Sequence, residues 1–150
     1  MKRLIFNTNA VDLLISESLP LKWNKYWREI LNKTSQLLLF EPLITEFFYK
    51  LSRNHGYITT QNKILQLKSL ESMKFITIDD NLAISAGKVV NKYQKYKLSL
   101  VDSYILACGK KFAAKIITTD PGIKNASRDA KVSVDFIALK EIKENKSFGN

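Results

Sequence analysis

Short β-branched, apolar runs alternate along this chain with longer segments in which apolar residues recur every three to four positions. We predict strands at residues 3–6, 37–40, 75–78, 115–119 and 132–137. The second run is also compatible with a helix, and the last alternates apolar and polar residues as an edge strand does. This alternation limits the chain to a small set of α/β folds.

Helical segments are predicted between these strands, at residues 10–16, 23–31, 42–52, around 64–70, 81–95 and 100–112. Pro42 suits a first helical turn, where its missing N–H is not needed. Strands that alternate with helices usually pair in parallel and carry helices on both faces. The sequence therefore predicts an α/β protein of three α/β/α layers around a mostly parallel sheet of four to five strands.

The length of 150 residues fits one domain, 1–150, without a linker or repeat. No apolar run approaches the ~20 residues that span a bilayer. The first apolar run, 4–6, is too short for a signal-peptide core. We therefore expect a cytoplasmic protein without a membrane segment, and we expect its polar end, about 143–150, to be frayed.

Composition excludes several kinds of chemistry. Cys108 is the single cysteine, which rules out an internal disulfide and a multi-cysteine zinc site, and we expect it to be buried. His55, the single histidine, lies in a loop-like segment that nothing places near Cys108, so Cys–His and Ser-His-Asp catalysis are both disfavoured. The net charge of +10 favours a polyanion such as nucleic acid, although a basic background composition explains it equally well.

Polar side chains stand at the ends of predicted strands or near the starts of predicted helices. They are Asn7, Thr8 and Asn9 after the first strand, Asp79 and Asp80 after the third, Asp120 after the fourth, and Glu46 and Asp102 near helix starts. Ligand sites of open parallel sheets form outside the carboxyl ends of the strands. The sequence-distant acids Glu46, Asp102 and Asp120 can therefore converge beside Asn7.

Each of these residues also has a local explanation. The alternatives are an N-cap by Thr8 or Asn9, an N-cap by Asp79 or Asp80, a capping box from Ser99 to Asp102, a turn at 120–122, and a solvated Glu46 four residues from Lys50. Taken together, converging carboxylates suit a hard divalent cation such as Mg²⁺ or Mn²⁺. Such ions activate water and neutralise a phosphodiester, so no catalytic histidine is required.

Four segments at these positions resemble the PIN domain family, and in particular its VapC-like toxin ribonucleases. They read LIFNTN at 4–9, LITEFF at 43–48, LSLVDSYILA at 98–107 and IITTD at 116–120. Each segment is short, but their order and spacing match the family across nearly the whole chain.

The resemblance implies a PIN-like fold and a metal-dependent endoribonuclease that uses Mg²⁺ or Mn²⁺. It implies Glu46, Asp102 and Asp120 as the catalytic, metal-site carboxylates, with Asp102 and Asp120 positioning the ion and Glu46 helping to orient water. Thr8 and Thr119 match supporting hydroxyl positions. RNA as substrate, a small antitoxin as partner and a homodimer are implied in the same way.

Asn7 departs from the family pattern, which has an aspartate at the end of the first strand. An amide still offers one neutral oxygen, so Asn7 is a weak metal ligand, but the site loses one negative charge. Asn7 is either a natural divergence or an introduced substitution, and Asp12, inside the next helix, is a poor replacement. Cleavage is therefore predicted to be attenuated, and the alternative is an inactive PIN fold that binds RNA or protein.

Two further alternatives concern the fold and the aromatic residues. A receiver-like signalling module also gathers acids at strand ends, but it needs an acid pair after the first strand and a lysine near the last. The aromatic residues Trp23, Tyr26, Trp27, Phe47, Phe48 and Tyr49 are expected mainly in the core. If Trp23 or Trp27 is exposed, it would mark a protein interface.

Overall fold

A computed structural model describes residues 1–142 of the chain, so the predicted frayed tail lies outside the described residues. The strands are β1 (Lys2–Phe6), β2 (Ser35–Phe40), β3 (Met73–Ile76), β4 (Lys115–Thr118) and β5 (Val134–Phe136). The helices are α1 (Thr8–Ile15), α2 (Asn24–Leu31), α3 (Glu41–His55), α4 (Tyr57–Lys68), α5 (Asp80–Lys92), α6 (Leu100–Lys111) and α7 (Pro121–Asp129), with 3-10 turns at Leu21–Trp23 and Gln94–Tyr96.

The five strands form one parallel sheet in the order β3-β2-β1-β4-β5, flanked by helices in three α/β/α layers. β1 is central, and its residues Leu4, Ile5 and Phe6 are completely buried between the helical layers. The predicted fold class is therefore confirmed. The weak run at 37–40 belongs to β2, and the run at 132–137 contains the edge strand β5.

The pairing of β1 with β4 determines where the functional candidates lie. Phe6 is in register with Ile117, and the backbone N–H of Asn7 donates to the carbonyl of Ile117 at 3.1 Å. Both strands run in the same direction, so Asn7 and the residues that follow Ile117 meet at the same edge of the sheet.

The aromatic residues mainly serve the core, as expected. Tyr26 packs edge-on against Phe6 and stacks on Trp23, with both pairs of ring centroids 6.2 Å apart. Trp23, Tyr26 and Phe47 are buried, Trp27 is partly buried, and only Tyr49 of the predicted aromatic set is exposed. Cys108 is also buried, as predicted, and burial raises the pKa of its thiol to about 12.

Some predicted boundaries were wrong. The strand predicted at 75–78 lies at Met73–Ile76, where it pairs with β2, and the segment around His55 is the last turn of α3 rather than a loop. α4 begins at Tyr57, well before 64, because Gly56 adopts a positive φ of 79° that ends α3 and redirects the chain. Within residues 1–142, no helix is both long and apolar enough to cross a bilayer.

The position at which α5 begins can be tested by mutating its N-cap. Asp79 is its N-cap, and an Asp79 carboxylate oxygen accepts the Leu82 N–H at 2.8 Å. We expect Asp79→Ala to lower the free energy of unfolding by about 1 kcal/mol, because that N–H loses its partner. Urea denaturation measures the change. Asp79→Asn retains the cap and should stay near the parent, and a similar loss for Asp80→Ala would contradict the assignment.

Candidate functional site

Asn7 links the ends of β1 and β4. It is the N-cap of α1 and is only 7% exposed. Its Oδ1 accepts the N–H of Ala10 at 3.2 Å and the N–H of Thr119 at 3.4 Å. The prediction that Thr8 or Asn9 caps this helix was therefore wrong. Because Oδ1 is engaged by two backbone donors, the amide group left to the site is an NH₂ donor, which cannot bind a cation.

Asp120 follows β4 and is the N-cap of α7, with Oδ1 accepting the Gly122 N–H at 3.1 Å. The prediction of a simple turn at 120–122 missed this helix. The Asp120 N–H donates to the hydroxyl of the fully buried Thr118 at 3.0 Å. Thr118 therefore orders the strand end by its hydroxyl, whereas Thr119 contributes its backbone N–H to Asn7. Thr118 was not selected from the sequence. The feature that could have pointed to it is a polar residue at the end of an otherwise apolar strand.

Asp102 lies in the first turn of α6, where the predicted capping box is confirmed. Its Oδ2 accepts the Ser99 N–H at 3.0 Å, and the Asp102 N–H donates to the Ser99 hydroxyl at 3.1 Å. Burial raises the pKa of Asp102, the bonds from Ser99 lower it, and the negative charges of Asp120 and Glu46 raise it further. Asp120 and Glu46 are therefore close enough for their charges to act on Asp102.

Glu46 projects from α3 into the interior and is only 5% exposed, so the alternative of a solvated side chain was wrong. Its Oε1 accepts a hydrogen bond from the Thr8 hydroxyl and lies 3.5 Å from the Nζ of Lys50. Thr8 is itself buried at the start of α1. One lysine and one hydroxyl thus hold a buried carboxylate beside the end of the first strand. Asp12, by contrast, pairs with Lys63 at 3.2 Å.

The site suits a cation that keeps most of its water ligands better than a cation whose ligands all come from the protein. Within residues 1–142, no group of three or more His, Cys, Asp or Glu side chains is arranged as a ready metal cluster. Nevertheless, Asp120 Oδ2 and Glu46 Oε2 accept no hydrogen bond from the described residues. Mg²⁺ usually binds through one or two carboxylates and keeps several waters. The chemistry of these donors therefore suits Mg²⁺ or Mn²⁺, and Asn7, predicted as a weak ligand, already uses its Oδ1 for two backbone donors.

Comparison with known proteins identifies a family and a shared fold. The sequence profile described as PIN domain matches residues 13–129. The comparison with curated proteins finds no match.

Three solved structures are similar to this chain. VapBC2 from Rickettsia felis, bound to a DNA fragment from its promoter, has a TM-score of 0.62 and 16% identity, covering 89% of this chain and 98% of its own. DNA-bound VapBC from Salmonella typhimurium has a TM-score of 0.63 and 12% identity, covering 91% and 98%. VapC20 from Mycobacterium tuberculosis, a toxin that cleaves the Sarcin-Ricin loop, has a TM-score of 0.60 and 13% identity, covering 82% and 94%. At these identities the likeness establishes the fold alone.

The bond between Thr8 and Glu46 can be tested without any metal. Thr8→Val preserves the side-chain shape but leaves a buried carboxylate oxygen without its hydroxyl donor. We expect the free energy of unfolding at neutral pH to fall by roughly 1–3 kcal/mol. Thr8→Ser keeps the donor and should recover most of the loss in the same urea titration. Equal stability of the Val variant and the parent would show that the bond contributes nothing.

The mutual effect of the acids can be tested by titration. Removing a neighbouring negative charge makes ionisation of Asp102 easier, so Asp120→Asn and Glu46→Gln should each lower the pKa of Asp102. Carboxyl ¹³C NMR in EDTA measures this pKa directly. Asp79→Asn removes an acid that does not act on Asp102 and should leave its pKa unchanged. No change in all three variants would mean that the acids do not share a pocket.

Proposed function

The chain belongs to the PIN domain family, and on that basis we propose that it is a metal-dependent endoribonuclease, toxin-like and attenuated by Asn7. The observation that carries the proposal is the electrostatic coupling of Asp102 to Asp120 and Glu46 at the end of the sheet where β1 and β4 meet. VapC20, whose fold this chain shares, is a toxin that cleaves the Sarcin-Ricin loop, which also supports the proposal. An RNA substrate implies action in the cytoplasm.

Each acid has a distinct proposed role. Asp102 and Asp120 would hold a hydrated Mg²⁺ or Mn²⁺, since each is fixed by a helix cap at one oxygen. Such an ion, when bound, supplies an activated water and neutralises charge on the phosphodiester. Glu46 would orient and accept a proton from that water through its unbonded oxygen, while Thr8 and Lys50 hold the other oxygen in place.

Asn7 supports the proposal of attenuation. With Oδ1 bonded to Ala10 and Thr119, its NH₂ group stands where an aspartate would offer a second oxygen. The pocket therefore has one negative charge fewer and gains a donor that a cation repels. The alternative function, an inactive PIN fold that binds RNA or protein, rests on this same substitution.

Protein partners form a further part of the proposal. The solved complexes from Rickettsia felis and Salmonella typhimurium are VapBC complexes, which supports a small antitoxin as partner. We also propose a homodimer, from the family resemblance alone. α3 and α4 expose apolar side chains suited to such contacts, namely Tyr49, Tyr57, Ile58 and Leu65.

Restoring the missing acid tests the function. We expect Asn7→Asp to bind Mn²⁺ at least about tenfold more tightly than the parent, because it adds a charged ligand. We also expect it to cleave a mixed RNA substrate faster with Mn²⁺ or Mg²⁺. Calorimetry measures the metal affinity, and gel electrophoresis measures the cleavage.

Two controls make this test specific. Asn9→Asp adds the same charge at an exposed neighbouring position and should change neither readout. Adding Asp102→Ala to the Asn7→Asp variant should abolish cleavage, which excludes a contaminating nuclease. Cleavage by the Asn7→Asp form alone would favour the alternative that the natural chain is a binder. If neither form cuts RNA and Asp102→Ala leaves metal binding unchanged, the nuclease proposal is wrong.

A further inference from the structure

A groove of about 580 Å³ lies between α5 and α6, on a part of the molecule that the proposed cleavage chemistry does not use. Its apolar floor includes Leu82, Val89 and Leu106. Lysines stand on both walls: Lys88 and Lys92 on α5, and Lys110 and Lys111 on α6. None of its lining residues is acidic, so the charged residues of the groove are all lysines.

These four lysines lack partners of opposite charge. Within residues 1–142, ion pairs engage six other lysines, including Lys50 with Glu46 and Lys63 with Asp12, but none of the groove lysines. Lys88 and Lys92 are one helical turn apart, where like charges repel each other. An anion bound between the two walls would relieve this repulsion.

The groove and the acidic site share helix α6, which carries Asp102 in its first turn and lines the groove with Leu106 and Lys110. Tyr93, which lines it, is followed by the turn Gln94–Tyr96, and the Tyr96 carbonyl lies 3.0 Å from the position that a Cβ would take at Gly122. Gly122 is bonded to Asp120. Along α6, the eight residues from Asp102 to Lys110 span about 12 Å at the helical rise of ~1.5 Å per residue. A strand bound at Lys110 would therefore have to extend about 12 Å along α6 to reach Asp102.

We propose that this groove binds the phosphate backbone of a single-stranded RNA, whose continuation enters the acidic pocket. Single strands bind in positively charged grooves that follow the backbone, and lysines neutralise phosphates without reading sequence. The proposal rests on the proposed ribonuclease function and adds to it the path of the substrate. An acidic amphipathic helix is the competing occupant, and RNA is favoured because it is also the substrate of the proposed ribonuclease, whose Asp102 lies on the same helix as Lys110 and Lys111.

The test measures RNA binding without cleavage. A fluorescein-labelled, unstructured RNA of about 12 nucleotides is titrated with the full-length protein in EDTA, and anisotropy is followed from about 50 to 200 mM salt. The groove variant carries Lys88→Gln, Lys92→Gln, Lys110→Gln and Lys111→Gln. The control variant loses the same charge outside the groove, through Lys22→Gln, Lys25→Gln, Lys74→Gln and Lys140→Gln. Thermal unfolding of both variants checks that the fold is intact.

We expect the groove variant to lose at least about tenfold in affinity at ~100 mM salt, whereas the control variant loses much less. Each lost phosphate contact lowers the slope of log K against log salt by about 0.7 for a single strand, so the groove variant should lose roughly 2–3 in slope. Equal losses in the two variants would show only the general field of a basic protein and would overturn the proposal. Unchanged RNA binding, with selective loss of a labelled acidic amphipathic peptide, would overturn it in favour of a protein partner.

Failure of the groove is distinguishable from failure of the nuclease function. If neither the parent nor Asn7→Asp cuts RNA and Asp102→Ala leaves metal binding unchanged, but the groove substitutions still weaken RNA binding, the nuclease function is wrong and the groove remains an RNA site. If Asn7→Asp cuts RNA and adding the groove substitutions leaves its KM unchanged, the groove proposal alone is wrong.

Discussion

The parallel register of β1 with β4 brings the ends of these two strands together, and every candidate residue depends on that placement. Asn7 follows one strand and Asp120 follows the other, and the bond from the Thr119 N–H to Asn7 Oδ1 joins them at 3.4 Å. The buried hydroxyl of Thr118 then orients the Asp120 backbone. A one-residue slip of β4 would exchange the faces of its side chains, so that Ile116 and Ile117 would each meet the wrong helical layer, and it would separate these groups. Core packing therefore holds the site in register.

At position 7, the fold and the proposed metal site require different atoms of the side chain. The fold needs one acceptor oxygen there, to cap α1 and to hold the Thr119 N–H, and asparagine caps a helix about as well as aspartate. The proposed metal site would need the second carboxylate oxygen of an aspartate, with its negative charge. Substitution between the two residues therefore preserves the structure while changing the charge of the pocket. This explains how an intact PIN fold can carry an altered site without loss of stability.

The features that periodicity or local hydrogen bonding determines could be predicted from the sequence alone. Those features include the parallel sheet, the capping box of Asp102 and the N-cap at Asp79. The sequence was insufficient for α7, whose segment is mostly polar. This helix buries only a short stripe at Ile123, Ala126 and Ser127, and its Asp120 cap and its packing against β4 and β5 stabilise it.

The burial of Glu46 was also missed, because its environment is supplied from a distance. The position of Glu46 on its helix suggested that the side chain lies on the polar side. Thr8, which lies 38 residues earlier in the chain, donates the hydrogen bond that offsets the cost of burying this carboxylate. The candidate acids could be selected from the sequence by their types and their strand-end positions. Their mutual interaction is a property of the fold and could not be read from spacing alone.

The positive charges that would attract a polyanion lie apart from the acids that would act on it chemically. The net charge is +10, yet the pocket gathers Glu46, Asp102 and Asp120 with Lys50 as the neighbouring cation. Without a bound cation, such a pocket repels a phosphodiester. Exposed charges are screened over about 8–10 Å at physiological salt, less than the ~12 Å of α6 between Asp102 and Lys110. On the proposed function, lysines at the far end of α6 would therefore hold a nucleic acid strand whether or not the pocket is neutralised, and an asparagine at position 7 would weaken cleavage without loss of binding.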